Sequence, residues 1–398
     1  MKHEVVRNVY WVGAIDWNIR NFHGHTYTTM RGTTYNAYLI VDDKVALVDT
    51  VGAGFTDELV SRIKEIIDPD KIDYLIANHG EPDHSGSIPD MMKLAPNATL
   101  VYSRKGADSI GKYYPNGWKT MTVKTGDTIK LGQKTLTFLE APMLHWPDTM
   151  FTYIPEDALL LPNDAFGQHL ASTERFADEV DQQVLWDEAT AYFANILTPF
   201  SPLVVKKVAE VQKLNLKIDV IAPSHGLIWR KNPMQIVEQY VRWAQGAAEP
   251  RVVMAYETMW GATDRLAQGI TEGLTSEGVS AKVFRVPDTD HTEIMKEILG
   301  AKGVLFGSST HNQHMLLNIA KVLHDLKGLK FQNKIGAAFG VHGWAGGAVA
   351  DIENVLKEAG IAVVQEGLAS KWHLSEPEWQ QAVEFGKAFA QKVKASGQ

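Results

Sequence analysis

The chain has 398 residues, 45% of them hydrophobic, with a formal net charge of −8; that is longer than one hydrophobic core usually organises, so two domains are expected. The acidic balance, without clustered Lys and Arg, excludes a general nucleic-acid binder, which must neutralise phosphates. There is no cysteine, which excludes disulfides, thiolate-held zinc, iron–sulfur clusters and cysteine nucleophiles, so any metal must be held by imidazole and carboxylate.

No stretch approaches the roughly 18 apolar residues that span a bilayer, and the opening MKHEVVRNVYWVG lacks the basic, apolar and small-residue order of a signal peptide. A cytoplasmic protein with no membrane partner is expected.

In chain order, residues 35–41 and 44–48 read as β-strands joined at Asp42-Asp43, residues 57–67 as a helix, and residues 74–77 as a buried strand. Further strands are expected at 99–102, 128–131, 135–140, 150–154 and 158–161. Strands outnumber helices here, and a mixed sandwich with helices on its faces accommodates them. A helical pattern ends near Ala244, and residues 245–250 read as a connection, which puts the domain boundary between 249 and 250. Five βα units follow, with strands at 252–256, 281–286, 304–306, 335–339 and 361–364, and helices at 264–277, 292–299, 316–326, 349–359 and 378–393. That rhythm requires a doubly wound parallel sheet, with ligands at the carboxyl ends of its strands.

The strand at 74–77 runs into Asn78-His-Gly-Glu-Pro-Asp-His-Ser-Gly-Ser87, which sets His79, Glu81, Asp83 and His84 within six positions. Such a stretch is either a polar surface loop or half of a metal site. Three other strand ends carry donors as well: His145 in Met143-Leu-His-Trp-Pro-Asp148, Asp164 after Leu159-Leu-Leu161, and His225 after Val220-Ile-Ala-Pro-Ser224. Strand ends along one sheet edge can converge, and four imidazoles with three carboxylates suffice for two ions. A bridging Asp164 would lower the repulsion between them.

The HxExDH pattern, followed by a later His, Asp and His, resembles the metallo-β-lactamase superfamily, whose hydrolases generally carry HxHxDH. With Glu81 in place of the middle histidine, the LHWPD stretch and a flavodoxin-like second half, the chain resembles the flavodiiron proteins over nearly its whole length. The carboxylate adds negative charge and a hard oxygen donor, which suits iron more than zinc. The resemblance implies an N-terminal αββα sandwich followed by a flavodoxin-like five-stranded sheet. It implies one iron on His79, Glu81 and His145, a second on Asp83, His84 and His225, and Asp164 between them. Asp49 resembles an acid that supports the ligand loops. His23 and His25 either border the substrate pocket or serve the surface, and His169 reads as structural. Tyr192 and Phe193 are further candidates for the pocket, Phe193 standing where similar proteins often have a second tyrosine.

In the second half, Thr258-Met259-Trp260-Gly261-Ala262-Thr263 precedes a helix and resembles the flavodoxin phosphate loop, with Trp260 and Ala262 departing from it. The loops with Ser309, Thr310, His311 and Asn312, and with Gly343, Trp344, Ala345 and Gly346, match the places where flavodoxin-like domains meet an isoalloxazine ring. No GxGxxG is followed by a correctly spaced acid, so FMN is favoured over a dinucleotide.

The resemblance implies reduction of O2 to water or NO to N2O at a diiron site, O2 being expected first, with electrons passed through FMN from a separate donor such as rubredoxin. It also implies a head-to-tail homodimer or a dimer of dimers. Two competing readings are a dizinc hydrolase with a flavodoxin-like appendage, against which Glu81 counts, and a non-enzymatic electron shuttle that needs the second half only.

Overall fold

The computed structural model describes residues 3–115 and 117–396. Backbone contacts divide the chain into one unit of Met1–Tyr192 with Pro202–Val241 and another of Phe193–Ser201 with Arg242–Gln398.

In the first unit, alternating side chains on short β-branched and aromatic strands bury both faces of two sheets. The larger sheet runs His3–Val6, Val9–Trp11, Tyr38–Val41, Val45–Val48, Ile72–Ala77, Thr99–Ser103 and Thr120–Val123, in that spatial order. Its first four strands pair antiparallel and the rest parallel. The smaller sheet runs Thr128–Lys130, Thr135–Glu140, Met150–Ile154, Leu159–Leu161 and Val220–Ile221.

Tyr38, Ile40, Val48, Ile76 and Val101 of the first sheet meet Leu136, Phe138, Ile154, Leu159 and Leu161 of the second in one core. Each such side chain removed from water contributes about 1.5–3 kcal/mol. Leu39, Leu47 and Leu75 point to the opposite face by strand alternation and are equally buried. Helices Thr56–Lys64 and Arg104–Tyr113, which bury Leu59, Ile63 and Ile110, together with Gln182–Tyr192 and Met234–Ala244, which bury Leu185, Ala189, Ile236 and Tyr240, supply the helices of the αββα sandwich. Paired registers bring the ends of Val45–Val48 and Ile72–Ala77 to one edge, and likewise those of Leu159–Leu161 and Val220–Ile221.

The second unit is a parallel sheet in the order Ala281–Arg285, Glu249–Glu257, Ala301–His311, Ile335–His342, with Ala362–Val363 and Leu368–Lys371 both beside the last. Four helices connect the strands, Ala262–Ser276, His291–Gly300, Leu317–Leu329 and Ala348–Glu358, and a fifth, Glu376–Ser396, follows the last strand. The first and last of them pack backbone to backbone. A Cβ on Gly273 would lie 2.0 Å from the Val383 carbonyl oxygen and one on Gly386 2.1 Å from that of Ile270, so glycine is required at both.

Three details depart from the expected elements. The loop expected after residue 306 continues as strand to His311 and folds back on His314–Met315. Asn312 and Gln313, both at positive φ, supply the two-residue turn that this needs. The last strand is split, because Gly367 turns inward to bond Glu353 Oε1 at 2.8 Å. The hairpin at Asp42-Asp43 has three residues between the Val41–Val45 pair rather than two.

Candidate metal centre and flavin loops

The short helix Pro82–Ser85 follows the strand Ile72–Ala77 and starts at Pro82 directly after Glu81, so it turns Asp83 and His84 back toward the strand ends. The structure brings the seven expected donors together in two groups, His79, Glu81, His145 and Asp164 in one and Asp83, His84 and His225 in the other. His79 Nε2 lies 3.2 Å from Glu81 Oε2 and 3.6 Å from Asp164 Oδ2, and His145 Nε2 lies 3.4 Å from each. On the other side, Asp83 Oδ2 lies 3.2 Å from His84 Nε2 and 3.1 Å from His225 Nε2. Asp164 Oδ1 completes that group, 2.9 Å from His84 and 3.5 Å from His225. Donors about 2.1 Å from a shared ion stand about 3.0–3.4 Å apart, so both groups have the span of a coordination shell. One oxygen of Asp164 faces each group.

Most of the donors are shut away from water, and several of their atoms make no hydrogen bond. Both carboxylate oxygens of Asp83, both ring nitrogens of His84 and Oδ2 of Asp164 are buried without a hydrogen bond, a cost that ligation removes. Burial opposes the charge of Glu81, but His145, His23 and His79 hold it well below the usual carboxylate range. Asp164 is held ionised against its burial by His84 and His145. Burial likewise opposes charge on His84, yet Asp83 and Asp164 push it up to about 9. One buried and two half-buried carboxylates thus call for positive charge, and the hard oxygen and imidazole donors suit a pair of iron ions.

Around the donors, a further layer fixes their orientation. His79 Nδ1 donates to Asp148 Oδ1 at 2.9 Å, and Asp148 Oδ2 accepts from Gly80 N at 2.8 Å and Ser109 Oγ at 2.6 Å. His225 Nδ1 donates to the Thr34 carbonyl at 2.7 Å. Asp49 accepts from Asn78 N at 2.8 Å and from the side-chain amides of Asn78 and Asn163, both at 3.2 Å, which ties two ligand loops together. Burial raises its pKa to about 6, an effect that the imidazole of His84 and the bonds from Asn163 and Asn78 limit.

Of the remaining pocket candidates, His23 rather than His25 reaches the donors, with Nε2 3.1 Å from Glu81 Oε1; His25 is exposed two residues further along the hairpin. Tyr192 lies beside His225, ring centroids 6.2 Å apart, whereas Phe193 stacks on Trp243 at 5.2 Å. His169 is fully buried and, through burial and the nearby His225, holds its pKa well below that of free imidazole. Asp148 and Thr34 were not singled out as contacts in the sequence, whereas His23 was named there beside His25. Of the first two, only Asp148 left a signal, as the acid three residues after His145.

In the second unit, Gly261 at φ 84° ends the loop, and helix Ala262–Ser276 begins there. Met259 N donates to Ser309 Oγ at 3.3 Å, Gly261 N to Thr258 Oγ1 at 3.1 Å, and the hydroxyls of Thr263 and Ser309 are 3.0 Å apart. The structure thereby joins the first two expected loops into a cluster of hydroxyls and backbone N–H groups at a helix start, which suits a phosphomonoester. Thr310 Oγ1 accepts from Ala348 N at 3.3 Å and so joins the second loop to the third. His311 and Asn312 are exposed at the hairpin turn, as is Ala345 in the glycine-bounded loop.

Trp260 is 93% exposed and Trp344 84%, and such apolar rings in water are what a planar flavin would cover. Trp344 lies near a residue the sequence gave no reason to choose, Trp372, at 6.2 Å between centroids. A Cβ on Gly343 would strike the Trp372 ring at 2.6 Å.

A metallo-β-lactamase-like sandwich with a dinuclear donor set, joined to a flavodoxin-like sheet, defines a class of two-cofactor redox proteins. Residues 33–226 match the family described as ODP family beta lactamase, and residues 254–386 match flavodoxin. A nitric oxide reductase from Moorella thermoacetica is 49% identical over 391 residues, 98% of each chain. An anaerobic nitric oxide reductase flavorubredoxin from Escherichia coli is 43% identical over 98% of this chain and 82% of that one. The rubredoxin oxygen:oxidoreductase structure from Desulfovibrio gigas superposes with a TM-score of 0.97 at 35% identity, over 100% of this chain and 99% of that one. The flavodiiron protein from Giardia intestinalis gives 0.95 at 34%, over 100% and 98%. The chain belongs to the flavodiiron family, oxidoreductases that reduce NO or O2 with a non-haem diiron centre and FMN. The dizinc hydrolase and the electron shuttle are set aside.

Proposed function

We propose that this chain reduces NO to N2O as its main reaction and O2 to water as a second one, at a diiron centre fed through FMN. The higher identity to a nitric oxide reductase, 49% against 35% for the rubredoxin oxygen:oxidoreductase, supports that order, the reverse of the one expected from the sequence. The observation that carries the centre itself is Asp164, buried with one oxygen toward each donor group.

His79, Glu81 and His145 would hold one iron, Asp83, His84 and His225 the other, with Asp164 between. When bound, the irons and the flavin supply the electrons, two for a pair of NO molecules and four for one O2. The residues do the rest of the work by placement. Asp148 and the Thr34 carbonyl fix the tautomers of His79 and His225 so that each Nε2 lone pair faces inward. His23 and His145 flank Glu81 and keep its carboxylate ionised. Thr258 to Thr263 and Ser309 would take the FMN phosphate, and Thr310 to Asn312 with Gly343 to Gly346 the ring.

Three further features belong to the same reading: a rubredoxin-like electron donor, a head-to-tail homodimer or dimer of dimers, and a cytoplasmic location, with a diiron domain to residue 249 and an FMN domain from 250. The names of the E. coli and D. gigas relatives support the donor. Among the described residues no helix is long and apolar enough to cross a membrane.

Metal and flavin analysis of anaerobically purified protein should find near two irons and one FMN per chain. Stopped-flow mixing of the reduced protein with each gas should show NO reoxidising the centre at least as fast as O2. Zinc without iron, or no reoxidation by either gas, would overturn the reading.

A further inference from the structure

His169 is a buried imidazole packed against the metal donors that the ligand set leaves unused. Its ring is fully buried and meets that of His225 edge to face with centroids 4.8 Å apart, walled by Phe22 at 4.4 Å and by Tyr27 and Tyr192 at 5.0 Å each. Nε2 has no hydrogen-bond partner. All of its polar contact is on the other side, where Nδ1 lies 2.8 Å from Thr33 Oγ1.

Thr33 Oγ1 in turn reaches the Thr34 carbonyl oxygen at 3.3 Å, the same oxygen that accepts the Nδ1–H of His225 at 2.7 Å. A hydroxyl has one proton to give. If it goes to the Thr34 carbonyl, His169 Nδ1 must be the donor to Thr33, and the unpaired Nε2 carries a lone pair into the aromatic wall. An under-used acceptor is the less costly of the two orphans. The bonds then run in one direction, from His169 to Thr33 to the Thr34 carbonyl, where they meet the proton of His225.

We propose that His169 is a positioning residue for His225, acting through the Thr33 hydroxyl and the Thr34 carbonyl. Two donors on that carbonyl use both of its lone pairs, and the ring of His169 packed edge to face limits rotation of His225 about its own axis. Together they aim His225 Nε2 at the second ion. The inference rests on the diiron reading above.

The relay makes the two nitrogens of His169 unequal, which gives a direct test. The amide nitrogen of H169N falls where Nδ1 stands, and that of H169Q where Nε2 stands. H169N should keep near wild-type ferrous-ion affinity and the wild-type electron paramagnetic resonance spectrum of the mixed-valent centre. H169Q and H169F should weaken one of the two ions about 10–100-fold, the range for groups that orient ligands, and change that spectrum.

T33V should match H169F, and the double variant should lose nothing more, because both changes cut one chain of bonds. Equal losses in H169N and H169Q overturn the inference, as do losses in H169F and T33V that multiply. Should H169F fail to fold, the comparison of H169N with H169Q still decides. A wild-type protein that binds no iron would overturn the diiron reading and this inference with it, whereas two irons with an unaffected H169Q would overturn the inference alone.

Discussion

In the first unit, His79, His84, His145 and His225 are all buried, and each of His79 and His225 is steered from behind by a group far away in sequence, Asp148 and Thr34. In the second unit, the phosphate-type loop is held by short hydroxyl contacts, while Trp260, Trp344 and Trp372 stand 93%, 84% and 65% exposed at the strand ends. The difference separates two ways of preparing a cofactor site. A metal needs several charged donors at fixed spacing, so the protein meets the cost of bringing them together while it folds. A flavin is itself a large apolar plane, and its burial supplies much of the free energy that orders the loops around it. The metal site is therefore expected to fail sharply, and the flavin site gradually.

The largest effect should come from Asp164→Ala, which removes the oxygens shared by both donor groups. Iron content should fall below one per chain and NO turnover by more than about 100-fold, beyond the range typical for groups that only orient ligands. FMN should stay bound, and a coincident loss of FMN would break the proposed independence of the two sites.

Glu81→His tests the choice of metal. Expressed with both metals present, the variant should shift toward zinc, read as the zinc-to-iron ratio of the purified protein; an unchanged ratio would mean that residue 81 does not set the preference.

Asp148→Asn keeps the shape but weakens the acceptor for His79 Nδ1. Ferrous-ion affinity should drop about 10–100-fold, and chelator competition measures it.

The smallest change is expected for Trp344→Ala. Loss of one stacking partner is worth about 0.5–1.5 kcal/mol, so the FMN dissociation constant should rise roughly two- to twelvefold with iron content unaltered. A total loss of flavin would show that the second site is as brittle as the first.

These sites were unequally legible in the sequence. The seven donors stood out because each follows an apolar strand run, and four of them sit within six positions of one another. The βα rhythm of the second half marked its loops in the same way. What escaped was whatever depends on backbone atoms or on the direction of one residue in a short turn. The Thr34 carbonyl has no side-chain signature. His23 and His25 differ only in which one the hairpin between Asn21–Phe22 and Tyr27–Thr28 turns inward. Trp372 follows a short strand created by a break at Gly367, and the turn at Asn312-Gln313 looks like loop until its strands are seen to pair.

Asp49 braces Asn78 and Asn163, and Asp148 and Thr34 brace two of the imidazoles, but among the described residues the carboxylate of Glu81 pairs with the rings of His23, His79 and His145 alone. The side chain proposed to discriminate between iron and zinc thus makes no hydrogen bond or ion pair among the described residues beyond those imidazoles. If Glu81→His shifts the metal as predicted, one substitution retargets the chemistry while the contacts of the surrounding loops stay in place. That offers a route by which hydrolases and oxidoreductases could diverge from one scaffold, and it makes residue 81 the natural starting point for engineering the centre.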